Sequence, residues 1–568
     1  MMSTSIRRLI LWIPAIMLVL LSHDAAPASP EVTARARKFV AAHEAKIKPL
    51  DKAAAIAWWD ANTTGKDEDF KRKIEAQNRI DEVLSDPAAF RELKELHSLA
   101  DRIDDTTLAR AVEVLYLGYL EKQVDPRLLK QIVAKANQVE QQFNVFRAEV
   151  DGRKMPDTEV RDVLKNSKDS KQREAVWSAS KKVGPLIEEA LAELVKLRNQ
   201  AAVGLGFKNF QALQLYINEQ DAAELIRLFD DLDELTREPF RAAKREIDEN
   251  LAKAYGIKPS ELMPWHYHDP FFQESPAVFA VSLDEPYKNA DILKICRQYY
   301  AGIGLPIDDV IARSDLYPKP GKSQHAFCTD IDRQGDVRVL ANIVNTEYWM
   351  NTMLHELGHA VYSSKNIPQS VPYTLRGEAH ILSTEGVAML FERGSKDRRW
   401  IERMGLKVAD PTRFDETAAK MQRNQLLIFS RWCQVMLRFE KGMYENPQQD
   451  LNKLWWDLVE KYQEVKRPPG RNAPDYASKI HVVSAPVYYH NYMMGQLFAS
   501  QVHHAMAREV FGGADPKTVL YIDNKKVGDF MRKKVFEPGR TLDWNELTEH
   551  ATGEKLNPKA FAQDFQAR

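Results

Sequence analysis

Two histidines and a glutamate between positions 355 and 359 are the residues in this sequence best placed to do chemistry. His355 and His359 are four residues apart, so in a helix both imidazoles lie on one face, about one turn apart, where they can bind one metal ion. Glu356 lies beside this pair and can reach a metal-bound water instead of the metal. The pattern therefore predicts a zinc site in which Glu356 activates water to cleave a peptide bond.

A catalytic zinc site needs a third protein ligand and keeps its fourth position for water. Lys365 stands six residues after His359, where a three-histidine site would have its last ligand, so that pattern is excluded. The downstream candidates are Glu378, His380, Glu385 and Glu392. Glu385 lies at the start of a second apolar-periodic segment, a good position for a ligand from a neighbouring helix. On spacing alone, Glu378 remains its rival.

The elements that must position these residues are mainly helical. Apolar residues recur at i, i+3, i+4 and i+7, with charged residues opposite. The segments with this pattern are 31–60, 69–97, 107–123, 171–204, 221–253, 345–363 and 413–443. Clusters of Gly and Pro between them are short and contain large aromatic residues, unlike flexible linkers. We therefore predict a mainly α fold, with one large domain of two helical lobes around a deep central cleft.

One short segment alternates between apolar and polar residues instead. Residues 336–344 have the period of a strand and pair naturally with residues 325–331, which predicts a small β-hairpin just before the metal helix. A strand edge beside a protease site can bind a substrate backbone as an added strand. A purely structural hairpin is an equal alternative.

The first residues are typical of a signal peptide. Arg7 and Arg8 precede an apolar run at 9–21 that is short for a membrane span, and Ala26-Pro27-Ala28 offers small residues for cleavage. We predict a signal peptide at 1–28 and a catalytic domain at 29–568, exported to the periplasm or secreted, with no membrane attachment after cleavage. An uncleaved N-terminal anchor is the alternative.

Composition excludes several classes of partner. The 568 residues carry a formal net charge of −1, with both signs interspersed, so nothing indicates nucleic acid or an anionic membrane as a partner.

Three cysteines allow at most one disulfide and leave a free thiol.

Several motifs resemble the angiotensin-converting enzyme family of metallopeptidases, in a compact bacterial-type form. These are residues 58–64 (Trp-Trp-Asp-Ala-Asn-Thr-Thr), the helix around 198–202 and the His-Glu-Leu-Gly-His of 355–359. In that family a Glu in the mid-twenties of residues later completes the zinc site, which favours Glu385 over Glu378. The resemblance thus implies one Zn²⁺ per chain, bound by His355, His359 and Glu385.

The most specific resemblance lies downstream, in Lys479-Ile480-His481, Ala485-Pro486 and Tyr488-Tyr489-His490-Asn491-Tyr492. It implies that His481 and Tyr492 stabilise the oxyanion, and that Lys479 and a tyrosine bind the substrate's C-terminal carboxylate. Counting forward from His481 selects Tyr488 as that tyrosine, whereas aligning the following helix selects Tyr489. We prefer Tyr489, because Tyr489 and Tyr492 are i, i+3 and share a helix face.

Two further segments carry substrate-binding residues by resemblance. Residues 269–273 (Asp-Pro-Phe-Phe-Gln) resemble a segment whose Gln holds the same carboxylate, which nominates Gln273. Residues 325–328 (His-Ala-Phe-Cys) resemble a strand whose His and backbone groups hold the substrate main chain, which nominates His325 and Ala326.

The sequence also departs from the family. The Asp that usually orients a metal His, four residues after the Glu ligand, is Met389, so another acceptor such as Glu378 or a backbone carbonyl must take its place. The positions of two arginines linked to chloride hold Asn491 and Val459, which argues against chloride activation.

The resemblance implies a peptidyl-dipeptidase, a hydrolase that releases C-terminal dipeptides from oligopeptides with a free C-terminus. The nearest alternative is a thimet-type oligoendopeptidase that does not read the C-terminus. A non-catalytic peptide-binding relative is a third hypothesis, which the intact motif disfavours.

Overall fold

The computed structural model describes residues 28–276 and 282–566. Within them the fold is mainly α-helical with two small hairpins, which confirms the predicted fold class. The predicted signal peptide lies outside the described residues, apart from Ala28. Among the described helices, none combines the length and apolarity needed to cross a bilayer.

The described helices divide along the chain into those before and after the metal motif. The helices before it are α1 (Pro30–Thr64), α2 (Asp67–Leu84), α3 (Pro87–Ser98), α4 (Thr106–Glu121), α5 (Pro126–Val145), α6 (Asp157–Asn166), α7 (Ser170–Ser180), α8 (Val183–Gly204), α9 (Phe210–Ile217), α10 (Ala222–Tyr255), α11 (Ile292–Gly302) and α12 (Asp308–Arg313). The metal-motif helix and those after it are α13 (Glu347–Val361), α14 (Ile381–Glu392), α15 (Arg398–Arg403), α16 (Pro411–Glu445), α17 (Leu451–Gln463), α18 (His481–Ser484), α19 (His490–Glu509), α20 (Lys525–Met531), α21 (Trp544–Thr552) and α22 (Lys559–Gln563).

Two segments predicted as single helices are each broken in two. Segment 69–97 divides into α2 and α3, because Asp86 accepts hydrogen bonds from the first backbone N–H groups of α3 and Pro87 begins that helix. Segment 171–204 divides into α7 and α8 at Lys181 and Lys182. Pro185 explains this break, since its ring excludes a continuous helix through residue 181.

The predicted hairpin is present but shorter than expected. Strand β3 (Phe327–Asp330) pairs antiparallel with β4 (Val337–Leu340), with Phe327 opposite Leu340. The other hairpin, β1 (Ala148–Val150) with β2 (Arg153–Met155), was not predicted. Its two-residue Asp151-Gly152 turn is the signal that could have revealed it.

The apolar core of the described residues forms one large cluster and three smaller ones. The large cluster extends from α5 to α22 and contains Leu354, Leu357 and Leu390 around the metal helix. The largest of the smaller clusters joins α1, α3 and α4 to Leu375. The described cysteines are all unpaired, so the fold depends on these cores and not on a disulfide.

Glycines bring three helices into close contact around the metal motif. A Cβ at Gly358 in α13 would lie 2.8 Å from the Cα of Ala388 in α14. A Cβ at Gly386 in α14 would lie 2.6 Å from the carbonyl oxygen of Gly495 in α19. Only hydrogen fits at these positions, so α13, α14 and α19 pack backbone against backbone.

We expect Gly358→Ala to lower stability by about 1–3 kcal/mol, because the new methyl group meets main chain that cannot rotate away. Denaturant titration of the metal-free protein measures the loss. Gly118→Ala in α4 is the matched control, since a Cβ there meets nothing within 4 Å and Ala favours a helix over Gly. Equal stability of the two variants would contradict the close packing.

Candidate active site

Three side chains from two helices converge at one point. His355 and His359 extend from α13, and Glu385 extends from α14. The two Nε2 atoms are 3.1 Å apart, and His355 Nε2 lies 3.6 Å from Glu385 Oε2. A tetrahedral ion with bonds near 2.0–2.1 Å separates its ligand atoms by about 3.4 Å. The three ligand atoms lie within 4.8 Å of one another and fit a single metal ion.

The other ring nitrogens of both histidines are occupied. His355 Nδ1 lies 2.6 Å from Glu392 Oε2, and His359 Nδ1 lies 2.7 Å from Thr384 Oγ1. These partners orient both rings and leave Nε2 of each for the metal. Glu392 therefore takes the role left open at Met389, and the expectation of Glu378 or a backbone carbonyl is wrong. Positions 389 and 392 lie on one helix face, so the carboxylate has moved by one turn.

The surrounding carboxylates strongly favour a positive charge where His355, His359 and Glu385 converge. Burial alone lowers the pKa of His355, but the hydrogen bond and charge of Glu392 outweigh it and raise that pKa to about 9. Burial raises the pKa of Glu385 and lowers that of His359 far below its usual range. A metal ion can replace the proton on His355, and its binding therefore releases that proton.

Glu356 is buried beside the metal ligands and faces the hairpin. Burial raises its pKa to about 7, against the opposing charge of His355. A carboxylate that titrates near neutral pH suits a general base. The backbone N–H of Cys328 acts on this carboxylate and lowers its pKa against the effect of burial. The edge of β3 that does not pair with β4 therefore faces the metal centre.

Of the other candidate ligands, Glu392 contacts His355 through Nδ1, on the ring edge away from Nε2, whereas Glu378 and His380 lie apart from this cluster. Among the described residues, the His, Cys, Asp and Glu side chains grouped closely enough for a metal are those of His355, His359 and Glu385. Glu378 interacts instead with Cys328 and Asp330, and burial raises its pKa to about 7. His380 caps α14, with its ring accepting the N–H of Leu382.

The residues nominated for the substrate carboxylate also come together. Lys479 Nζ donates to Gln273 Oε1 at 2.6 Å, and Lys479 is only 7% exposed. The same ammonium lies 5.2 Å from the centre of the Tyr489 ring. Tyr488 lies elsewhere, with its ring centre 5.3 Å from that of Tyr492. The tyrosine beside Lys479 is thus Tyr489.

An aromatic path joins the metal ligands to Lys479. Tyr488 and Tyr492 both interact electrostatically with Glu385. The ring of Tyr492 lies 5.4 Å from that of Tyr489, which lies 5.1 Å from His481. Burial and the nearby Lys479 lower the pKa of His481 to about 4, so its ring is neutral at pH 7. Its Nδ1 is buried with no hydrogen-bond partner among the described residues.

His325 and Ala326 precede β3, although the predicted strand began at residue 325. His325 is exposed, and its backbone N–H donates to Ser323 Oγ at 3.4 Å. The side chain of Asn342 donates to the carbonyls of Ser323 and Gln324 and holds this segment against β4. The assignment of His325 and Ala326 as substrate ligands stays a prediction.

Comparison with known proteins finds a family match in each half of the chain. The model of the angiotensin-converting enzyme family matches residues 30–266, and the model of peptidase family M3 matches residues 311–567. The second match contains both metal helices.

Individual relatives are distant in sequence but carry the name of the same family. The angiotensin-converting enzyme of Rattus norvegicus is 21% identical over 301 residues, which is 51% of this chain and 23% of that protein. The enzyme of the same name from Theromyzon tessulatum is 23% identical over 244 residues, or 42% of this chain and 39% of its own. The chain therefore spans well under half the length of these relatives. Taken together, these matches show that the chain is similar to the angiotensin-converting enzyme type of gluzincin metallopeptidases.

Two buried acids that the sequence analysis did not identify position the residues nominated for substrate binding. Asp269 accepts backbone N–H groups from residues 271, 273 and 274, and thereby fixes Gln273. Glu440 accepts the N–H of Val487 at 2.8 Å, and Val487 has a left-handed φ of 56°, rare for a β-branched residue. The carboxylate thus holds a strained turn just before the tyrosines. An acid within an apolar helix face is the signal that could have identified Glu440.

We expect Glu392→Leu to weaken metal binding by about 10- to 100-fold, because His355 loses the acceptor that orients its ring. Competition with a chromophoric chelator measures the affinity. Glu378→Gln is the matched control and should bind metal as the wild type does. The opposite ranking of the two variants would show that Glu378, and not Glu392, supports the metal histidine.

Proposed function

We propose that this metallopeptidase uses zinc to release C-terminal dipeptides from oligopeptides. The observation that carries the proposal is the hydrogen bond between Lys479 and Gln273, with Tyr489 beside it, at the end of the aromatic path from the metal ligands. A buried ammonium with an amide beside it suits a carboxylate, and a peptide has one such group at a fixed distance from its last bonds.

The donor set fits zinc, and His355, His359 and Glu385 would hold it. When bound, zinc polarises the scissile carbonyl and makes a coordinated water more acidic. Glu356 accepts a proton from the attacking water and transfers it to the nitrogen of the leaving amine as the C–N bond breaks. Burial supports this role, since it raises the pKa of Glu356 to about 7, and the group can both accept and return a proton near neutral pH.

His481 and Tyr492 are suited to stabilise the charge that forms on the carbonyl oxygen. A neutral imidazole and a phenol donate hydrogen bonds without needing a counter-ion, and donors fixed in a buried site need little reorganisation. The lowered pKa of His481 supports the neutral form. The unpartnered Nδ1 of His481 is consistent with a ring that still has a hydrogen-bonding position to fill.

Lys479, Gln273 and Tyr489 would then set where the chain is cut. Gln273 accepts from Lys479 through Oε1, so its NH₂ group remains available to donate to a carboxylate. The unpaired edge of β3 could hold the substrate backbone as an added strand. A carboxylate fixed at Lys479 would leave two residues between it and the scissile bond.

A second candidate is an oligoendopeptidase that does not read the C-terminus. The match of residues 311–567 to peptidase family M3 favours it, because this half contains the metal ligands. The two candidates share the chemistry of Glu356 and differ in what Lys479 does. We also propose export to the periplasm or the medium, on the strength of residues 1–28 alone.

We expect a peptide with a free C-terminus to be cleaved about 10- to 100-fold faster, as kcat/KM, than its C-terminal amide, since one charge-assisted hydrogen bond contributes about 1.5–3 kcal/mol. Lys479→Met should remove most of this difference. Mass spectrometry of the products identifies the bond that is cut.

Lys407→Met, at an exposed lysine, is the matched control and should keep the difference between the two peptides. Release of dipeptides from the free peptide supports the proposal. Equal cleavage of the free and amidated peptides by the wild type would favour the endopeptidase instead.

A further inference from the structure

A cavity of about 330 Å³ opens beside the proposed carboxylate site. Gln273, Lys479 and His481 form one part of its wall. Much of the remaining wall comes from α5, α6, β1 and the α7–α8 junction, which the proposed chemistry does not use. Four cationic side chains line it, and we call it the basic cavity: Arg147, Arg161, Lys181 and Lys479.

Two of these cations are buried without an ion-pair partner. Lys181 is 2% exposed and Lys479 is 7% exposed. Neither ammonium lies within 4 Å of a carboxylate in the described part of the chain, although 45 ion pairs occur there. Lys181 Nζ has a neutral hydrogen-bond partner, Ser478 Oγ at 3.2 Å, and lies 3.4 Å from the centre of the Phe271 ring. A buried ammonium without a counter-ion is costly by several kcal/mol, so the site favours an incoming anion.

The remaining charges of the lining do not neutralise the two lysines. Asp157 is the acidic residue of the described lining, and it is already paired with Arg161 at 2.8 Å. Arg147 donates to the carbonyls of Asn144 and Phe146. Both arginines are exposed and lie towards solvent, so they add positive potential without filling the interior.

Lys181 lies at the break between α7 and α8. It follows the last residue of α7, and its backbone N–H donates to the carbonyl of Trp177. Its side chain is buried, whereas the side chain of the next residue, Lys182, is exposed.

The electrostatics of the two lysines favour an anion placed between them. Burial is the main influence that lowers the pKa of Lys181 to about 7, and Lys479 and Arg471 lower it further against the attraction of Asp475 and Asp269. Burial likewise lowers the pKa of Lys479 to about 8. A carboxylate placed between them would favour the protonated form of both.

We infer that the basic cavity receives the acidic side chain of a substrate whose C-terminal residue is Asp or Glu. The inference rests on the proposed function, because Lys479 and Gln273 would hold the α-carboxylate of that same residue. The side chain of that C-terminal residue then extends into the basic cavity, where Lys181 supplies a second ammonium group. The cavity has room for a glutamate side chain together with ordered water.

Two peptides that differ only in a C-terminal Glu or Gln test the inference, because the two side chains match in shape and differ in charge. We expect the wild type to prefer the Glu peptide by about 10-fold in kcat/KM, the value of a charge-assisted hydrogen bond of about 1.5 kcal/mol. In Lys181→Met the ratio should fall to about 1 or below, and in Lys181→Arg it should remain above 1. Lys182→Met is the matched control and should keep the wild-type ratio.

Turnover of either peptide reports the proposed function separately, so absence of turnover of both peptides by the wild type would count against peptidase activity and not against the cavity. Product dipeptides ending in Glu and in Gln, titrated calorimetrically into the zinc-loaded wild type, should show the same preference without turnover. A ratio near 1 in the wild type overturns the inference, as does an unchanged ratio in a folded Lys181→Met. Saturable chloride binding with no preference for Glu would assign the cavity to an inorganic anion and would also overturn it.

Discussion

The close contact of three helix backbones is the constraint on which the rest of this structure depends. Gly358 lets α13 approach α14, and Gly386 and Gly495 let α14 approach α19. A Cβ at Gly495 would lie 3.2 Å from the Cβ of Glu385, the carboxylate ligand. The two histidines, Glu385 and Tyr492 occupy these three helices. The proposed chemistry therefore requires glycines where the helices cross.

Negatively and positively charged side chains lie at opposite ends of the site, an arrangement suited to a peptide that ends in a carboxylate. Three carboxylates, those of Glu356, Glu385 and Glu392, surround the metal position and favour a cation there. Lys479 and Lys181 place positive charge at the other end of the aromatic path. A metal ion satisfies one end, and the C-terminal carboxylate of a peptide would satisfy the other. Both ends are buried, so each charge acts with little screening by water.

Local patterns in the sequence account for much of this fold and for the core of the site. The spacing of His355 and His359 is set by the helix repeat, and the apolar residues around them make the helix predictable. The helix breaks at Pro87 and Pro185 were missed, although proline chemistry explains both. In each of these long segments the apolar periodicity predicts one helix, although a single capping residue or proline marks the break. The prediction was based on the periodicity.

Other features depend on contacts that no local pattern carries. Glu392 supports His355 only because α13 and α14 cross at one particular angle, and the sequence places it merely one turn beyond Met389. Tyr488 and Tyr489 are adjacent, and their different neighbours appear only when Lys479 approaches from another element. The burial of Lys181 likewise depends on tertiary contacts.

The central claim is that one metal ion at His355, His359 and Glu385 works with Glu356 to hydrolyse peptides. Metal analysis of the purified protein, combined with peptide turnover by the wild type and by Glu356→Gln, tests it most directly. We expect one zinc ion per chain in both proteins, with kcat reduced by about 10²–10⁴-fold in the variant, which is the contribution of a general base. Turnover by Glu356→Gln equal to that of the wild type, with zinc bound in both, would contradict it.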